Sequence, residues 1–292
     1  MMRRAISISA LAAALLLAAG IALAQDEARV KPFDWPGEST FEFGIFDTQG
    51  ARIATAYYRI LKEQLEGQTA YRLKYVGRNE QTSEASECWI HPDTMLPMRS
   101  TRKLVSGGRT FYLDVAYGED MIVLRRKYEG EEPTQQQMPA VDNLYDYESL
   151  IWLIPQLDFG TGTQARLNVF DTLNYAATTV MINDLGEENL EIRGVTYPTH
   201  AYSFEVSLTP YKYWTVVQDG RAVPARFDPG SNSFINLGLD LKKCTTKAPP
   251  ANAKPPAAKP KPVKKNEQKE EQEETAPPGE NPLGPPPPGH RF

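Results

Sequence analysis

The sequence predicts a mainly β fold: an antiparallel half-barrel or flattened barrel, made from two related meanders that wrap one buried helix. Three observations predict it. Between Thr40 and Tyr128, short runs of alternating apolar and polar residues recur between turn residues, the pattern of half-exposed antiparallel strands. One helical apolar pattern interrupts the strand signal between Asp142 and Pro155. Landmarks of the first strand set then return in the same order at nearly constant offset, as an internal repeat does.

The chain opens with Arg3 and Arg4, a small apolar run from Ala10 to Ala24, and then Asp26 and Glu27. A basic start followed by an apolar run too short to cross a bilayer is a signal peptide. Ala22 and Ala24 place cleavage after residue 24. The first cysteine is Cys88, so no lipid-bearing cysteine begins the mature chain. The expectation is a periplasmic protein, exported and soluble, with no lipid anchor and no transmembrane segment after cleavage.

A β-rich domain is expected over 25–244. Phe41, Phe43 and Ile45 alternate with polar or small residues, as do Tyr71, Leu73 and Tyr75, and Phe111, Leu113 and Val115. Thr48-Gln49-Gly50, Glu66-Gly67-Gln68, Ser106-Gly107-Gly108 and Tyr117-Gly118-Glu119 read as the turns between them. The helix is expected over about 142–154, with Leu144, Tyr147, Ile151 and Ile154 on one face and Pro155 as its stop. Leu150, Trp152 and Leu153 make it apolar nearly all round, which places it in the core. A buried strand over Ser149 to Ile154 is the alternative.

The repeat links halves at about 41–117 and 165–241. Phe46-Asp47-Thr48 returns as Phe170-Asp171-Thr172, and Phe111 as Phe234. Trp89, Asp93, Pro97 and Arg99 form W-x3-D-x3-P-x-R, and Trp214, Asp219, Pro224 and Arg226 form W-x4-D-x4-P-x-R. Each unit reads as a strand, a turn and a second strand. The tryptophan is expected on the buried face, the aspartate bonding turn amides, the proline at a strand start or edge, and the arginine paired with a carboxylate.

From Thr245 to Phe292 the chain holds thirteen of its 24 prolines and no aromatic residue before Phe292. Such a Pro/Lys/Glu-rich tail cannot bury a core and is expected to be disordered. The domain before it carries 22 Lys and Arg against 31 Asp and Glu, a net charge of −9. Nucleic acid is therefore excluded as a partner, since phosphate contacts need a basic face.

Catalytic signals are sparse. The three histidines are His91, His200 and His290. Cys88 with His91 gives C-x2-H, but a structural zinc needs four ligands. Ser149 lacks the glycines of a nucleophile elbow. Gly160-Thr161-Gly162 lacks the third glycine and following helix of a dinucleotide site. No catalytic residue, metal or cofactor is expected. Cys88 and Cys244 supply one disulfide in an oxidising compartment, if strand order brings them together.

At Asp93-Thr94-Met95-Leu96-Pro97, at Ser149 to Ile154 with Leu157-Asp158-Phe159, and from Trp214 to Arg226, the chain resembles a bacterial exported family known only as a domain of unknown function. More distantly it is similar to the periplasmic lipoprotein carriers and sorting factors. That resemblance implies a curved antiparallel half-barrel with helices over an apolar hollow. The expected function is a non-catalytic binding or carrier protein for an apolar or envelope-derived ligand, a lipid or lipoprotein, with Trp89, Tyr147, Trp152, Phe159 and Trp214 converging on the hollow. The alternative is an envelope scaffold or assembly factor that meets a protein or the cell wall through its tail.

Overall fold

The protein is described here from a computed structural model, over residues 29–245 except 36, 173 and 241–242. The expected signal peptide and the tail beyond 245 lie outside the described residues. After β1 (Arg29–Val30), the first meander is β2 (Glu38–Phe46), β3 (Arg52–Leu65), β4 (Gln68–Arg78), β5 (Thr82–Ile90), β6 (Pro97–Ser106), β7 (Arg109–Tyr117), β8 (Met121–Tyr128) and β9 (Thr134–Pro139). Next come β10 (Leu144–Asp146), a helical insert, and β11 (Leu157–Asp158). The second meander is β12 (Gln164–Asp171), β13 (Ala176–Ile192), β14 (Val195–Val206), β15 (Thr209–Gln218), β16 (Arg221–Pro229) and β17 (Ser233–Asn236), followed by β18 (Cys244–Thr245).

All but β1 and β11 join one sheet of 16 strands, ordered β10-β12-β13-β14-β15-β16-β17-β2-β3-β4-β5-β6-β7-β8-β9, with β18 added beside β15. Its pairs are antiparallel except β10 with β12. The sheet is mainly β as expected and is not closed by a ladder, since β10 and β9 are its two ends. Side chains close it instead. Leu144 and Phe170 at one end pack on Phe111, Leu113, Val115, Ile122, Leu124 and Tyr128 near the other, forming a second, smaller core.

The two meanders correspond strand for strand, β2 to β7 with β12 to β17. Trp89 pairs with Arg99 across β5 and β6, and a bulge then aligns Ile90 with Pro97. Trp214 pairs with Arg226 across β15 and β16, and a bulge then aligns Thr215 with Pro224. The P-x-R spacing is thus the bulge itself, with Met98 and Ala225 as the extra residues, and proline sits where the ladder is interrupted.

The aspartates are not equivalent, which corrects the expectation that both bond turn amides. The β15–β16 turn is Asp219-Gly220, both at positive φ, the two-residue turn that suits strand twist. The β5–β6 loop is longer, and there it is the His91 Nδ1 that accepts from the Asp93 N–H, at 3.2 Å.

The helix is shorter than expected. Leu144 to Asp146 form β10, in register with Asn168 to Phe170. Asp146 Oδ1 then accepts from the Glu148 N–H at 2.7 Å and turns the chain into a 3-10 turn, Tyr147–Ser149. One α-helical turn follows, α1 (Leu150–Leu153), and a second 3-10 turn, Ile154–Gln156. The α-helical turn stops just before Pro155, as expected, and Pro155 lies at the start of the last 3-10 turn, where no donor is needed. Leu150, Trp152, Leu153 and Ile154 are all buried in the main core, as a helix apolar on every side should be.

The expected disulfide is absent. Cys88 on β5 and Cys244 on β18 are both free thiols. Cys88 lies in register between Leu73 and Ser100, whereas Cys244 lies beside Gln218 of β15. These strands are not neighbours in the sheet.

Candidate functional site

Two features of the interior stand out, one polar and one aromatic, and both are built around the insert. The polar one begins with parity. On β5 the residues that face the insert are Glu84, Ser86, Cys88 and Ile90, and on β6 they include Ser100 and Arg102. Arg102 forms an ion pair with Glu84, both side chains being almost wholly buried, and reaches Glu148 Oε1 at 3.4 Å. Glu148 also accepts from Ser86 at 2.8 Å and from Thr172 at 3.5 Å, and Arg102 donates to Thr172 at 3.2 Å. The insert is thereby tied to β5, β6 and the turn after β12.

Two residues before Glu148, the buried Asp146 accepts the hydroxyl proton of Tyr117. Glu84 and Glu148 therefore share one guanidinium, and Asp146 sits beside Glu148 with no cation against it among the described residues. Burial, then the Glu148 charge, push the Asp146 carboxyl from 3.8 up to about 6, against the pull of Tyr117. Burial also raises Glu84, although Arg102 opposes it. Arg102 stays protonated, because its carboxylate partners outweigh its burial. Burial, reinforced by Asp146 and Glu148, pushes the Cys88 thiol well up, which suppresses its reactivity. Asp146 can thus hold a proton up to about pH 6. Among the described residues, no group of three or more His, Cys, Asp or Glu is arranged to hold a metal ion.

The aromatic feature lies where the segment before β2 meets α1. Trp152 meets Trp35, Phe41 and Tyr58 at ring-centroid distances of 5.5, 5.0 and 5.7 Å. Phe33 stacks over Tyr71 at 6.3 Å. Tyr147 and Tyr211 join hydroxyls at 2.6 Å, and the Tyr213 hydroxyl donates to the Ile151 carbonyl at 2.6 Å.

The five residues expected to converge do not share one surface. Tyr147 and Trp152 face the interior, and Phe159 stacks on Tyr202 at 6.1 Å, part-way buried. Trp89 and Trp214 point the other way, because their strand neighbours Cys88 and Tyr213 are the residues turned toward the insert. Each is nonetheless nearly covered, at 9% and 6% exposure, and Trp214 packs within the main hydrophobic core. The Trp89 indole donates to Glu63 at 2.7 Å, and Arg72 lies 5.2 Å over its ring. The Trp214 indole donates to Glu188, with Lys212 and Arg226 over its ring at 4.6 and 5.3 Å.

Glu63 and Glu188 stand at the same distance before their tryptophans, so each meander carries the same outer station. Arg99 grips Asp114 through two hydrogen bonds, at 2.9 and 3.0 Å, and Arg226 grips Asp228 at 2.8 and 2.7 Å. The motif arginines are thus neutralised within the sheet.

This twofold framework runs through most of the stretch matched by a known family. The profile of DUF3108, described as a protein of unknown function, matches residues 40–228. The chain belongs to this family. No curated protein matches it. Among solved structures, the DUF3108 chain is similar to a beta-barrel-like protein of the domain of unknown function DUF1849 from Brucella abortus. That protein is 11% identical, with a TM-score of 0.41 over 72% of this chain and 96% of the other.

Reading the sequence missed Trp35 and the cluster of Glu84, Arg102, Asp146 and Glu148. The signal for Glu84 and Arg102 was their place on the inward parity of strands, where a charge requires a buried partner. Trp35 lies in a stretch without alternation, between Pro32 and Pro36, and left no such signal.

Proposed function

We propose that this DUF3108 domain is a non-catalytic interaction module of the periplasm, an envelope scaffold or assembly factor that meets a protein or the cell wall from outside its barrel. The observation that carries this reading is the hollow filled by the chain's own insert, with Leu150, Trp152, Leu153 and Ile154 at 0–2% exposure. A carrier needs that space lined and open. Export is supported by the signal-peptide pattern over residues 1–24. The stretch after residue 244 holds thirteen of the chain's 24 prolines, a composition suited to meeting another envelope layer.

A photo-reactive residue at Tyr57, 47% exposed on β3, and another in the tail test this reading in the native host. The expected result is one recurring protein or cell-wall fragment captured on irradiation. Failure at both positions, with one apolar molecule per chain recovered by solvent extraction, overturns it. A second reading, a carrier for a lipid or lipoprotein, is favoured by the aromatic cluster around Trp152 and requires part of the filling to move.

A further inference from the structure

The segment Arg29–Trp35 takes no part in the large ladder. Arg29 and Val30 pair only with Asp158 and Leu157 of β11, as a separate two-stranded sheet. This strap crosses the barrel's aromatic end and inserts Trp35, 4% exposed, edge-on between Trp152 at 5.5 Å and Phe41 at 5.9 Å. Its departure would break none of the strand pairs that hold the sixteen-stranded sheet.

The strap is held chiefly by burial of Val30 and Trp35 in the main core, and its polar anchors are few. Its ion pairs, Lys31 with Asp158 at 3.0 Å and Lys62 with Asp34 at 3.4 Å, have side chains 44–78% exposed, where such pairs contribute little. The Lys31 N–H donates to the Gln156 carbonyl at 2.9 Å. Its least exposed polar anchor is the Tyr71 hydroxyl, which accepts from the Trp35 N–H at 3.2 Å and donates to Asp34 at 2.6 Å. The indole itself is ill matched to its slot. Trp35 Nε1 is buried with no hydrogen-bond partner among the described residues, whereas a buried tryptophan N–H normally finds an acceptor. A ring of similar shape without that N–H fills the same space without a stranded donor.

We propose that the strap is a displaceable plug, and that the slot under Trp35, walled by Phe41 and Trp152 with Tyr58 behind them, binds a flat aromatic group carrying no hydrogen-bond donor. The edge-to-face walls select the class: rings set at 85° and 89° to the indole plane offer an aromatic guest the geometry it prefers. The site goes beyond the scaffold reading, and crosslinking from Tyr57 succeeds or fails independently of it.

Naphthalene is the probe, and the full chain and its Tyr71→Phe variant are the proteins. Tyr71→Phe keeps the ring under Phe33 and leaves Trp35 in its slot, so no cavity is created. Naphthalene is expected to bind the unaltered protein and to accelerate amide exchange at Lys31 and Trp35, while β3 to β6 stay protected. In Tyr71→Phe it binds about tenfold tighter, because losing the two hydroxyl bonds raises the open fraction. A folded Tyr71→Phe variant with unchanged affinity overturns the proposal, as does binding that leaves the strap amides unaffected, or no binding at all. cis-Parinaric acid, a linear polyene acid, distinguishes the ligand class: tighter binding of this acyl chain than of naphthalene overturns the aromatic assignment.

Discussion

Asp146 makes the folded protein sensitive to pH in the opposite sense from most carboxylates. It is wholly buried, and burial followed by the Glu148 charge lifts its carboxyl from 3.8 to about 6. The groups around it are Tyr117 and Cys88, and, through Glu148, Arg102, Glu84, Ser86 and Thr172. Because the folded value lies above the unfolded one, the native state holds a proton that the unfolded chain has released. Its stabilisation is complete below about pH 4 and is lost as pH rises through about 6. Raising the carboxyl from 3.8 to about 6 corresponds to roughly 3 kcal/mol. Asp146→Asn removes the titration and keeps an oxygen for the Glu148 N–H. Urea unfolding of both proteins from pH 4 to pH 7.5 measures the effect as a difference. Taking that difference cancels Asp34, Asp158 and Glu188, which are held low by bonds from Tyr71, the Gly160 N–H and Trp214 and act in the opposite direction. The expected outcome is a stability gap that moves by roughly 3 kcal/mol in favour of the variant as pH rises. Parallel curves would refute the reasoning, since they mean that Asp146 is already ionised or solvated at pH 4.

Three further predictions concern the frame. Trp89→Phe and Trp214→Phe each remove an indole bond to a carboxylate, Glu63 or Glu188. Each should cost about 1–2 kcal/mol in denaturant unfolding, and a silent variant in only one meander contradicts their equivalence. Gly44→Ala should lower the melting temperature, although alanine in a strand normally stabilises relative to glycine by about 0.5–1 kcal/mol. A Cβ at Gly44 would lie 2.6 Å from Phe46 Cε2 and displace that ring, so a rise in melting temperature sinks the packing argument. Denatured, unreduced protein should titrate two thiols, with buried Cys88 unreactive in the folded state, and a count of zero would show a disulfide.

Local patterns carried the framework well. The alternation of Phe41, Phe43 and Ile45 and the repeated Trp, Pro and Arg are set by a core face and by a ladder bulge, both of which leave fixed spacings in a sequence. The insert was harder to read, because Leu144 and Tyr147 fit a helical face while Leu144 to Asp146 pair with β12. Tertiary pairing overrode periodicity there. Trp89 and Trp214 are nearly covered, as expected, Trp214 within the main core, yet cations lie over their rings, Arg72 on one and Lys212 and Arg226 on the other. The β5–β6 register alone brings Glu84 beside Arg102, but their meeting with Glu148 depends on how the sheet curls around the insert, which no spacing encodes. The same holds for the separation of Cys88 from Cys244.

The central claim is that the chain's own insert fills the hollow, and the Trp152 ring reports on it directly. In the full-length protein in solution, nuclear Overhauser contacts from the Trp152 indole to the Phe41 and Tyr58 rings, at centroid distances of 5.0 and 5.7 Å, are the predicted result. Absence of both contacts, with the Trp152 indole proton exchanging freely with water, would mean an open hollow and contradict the account.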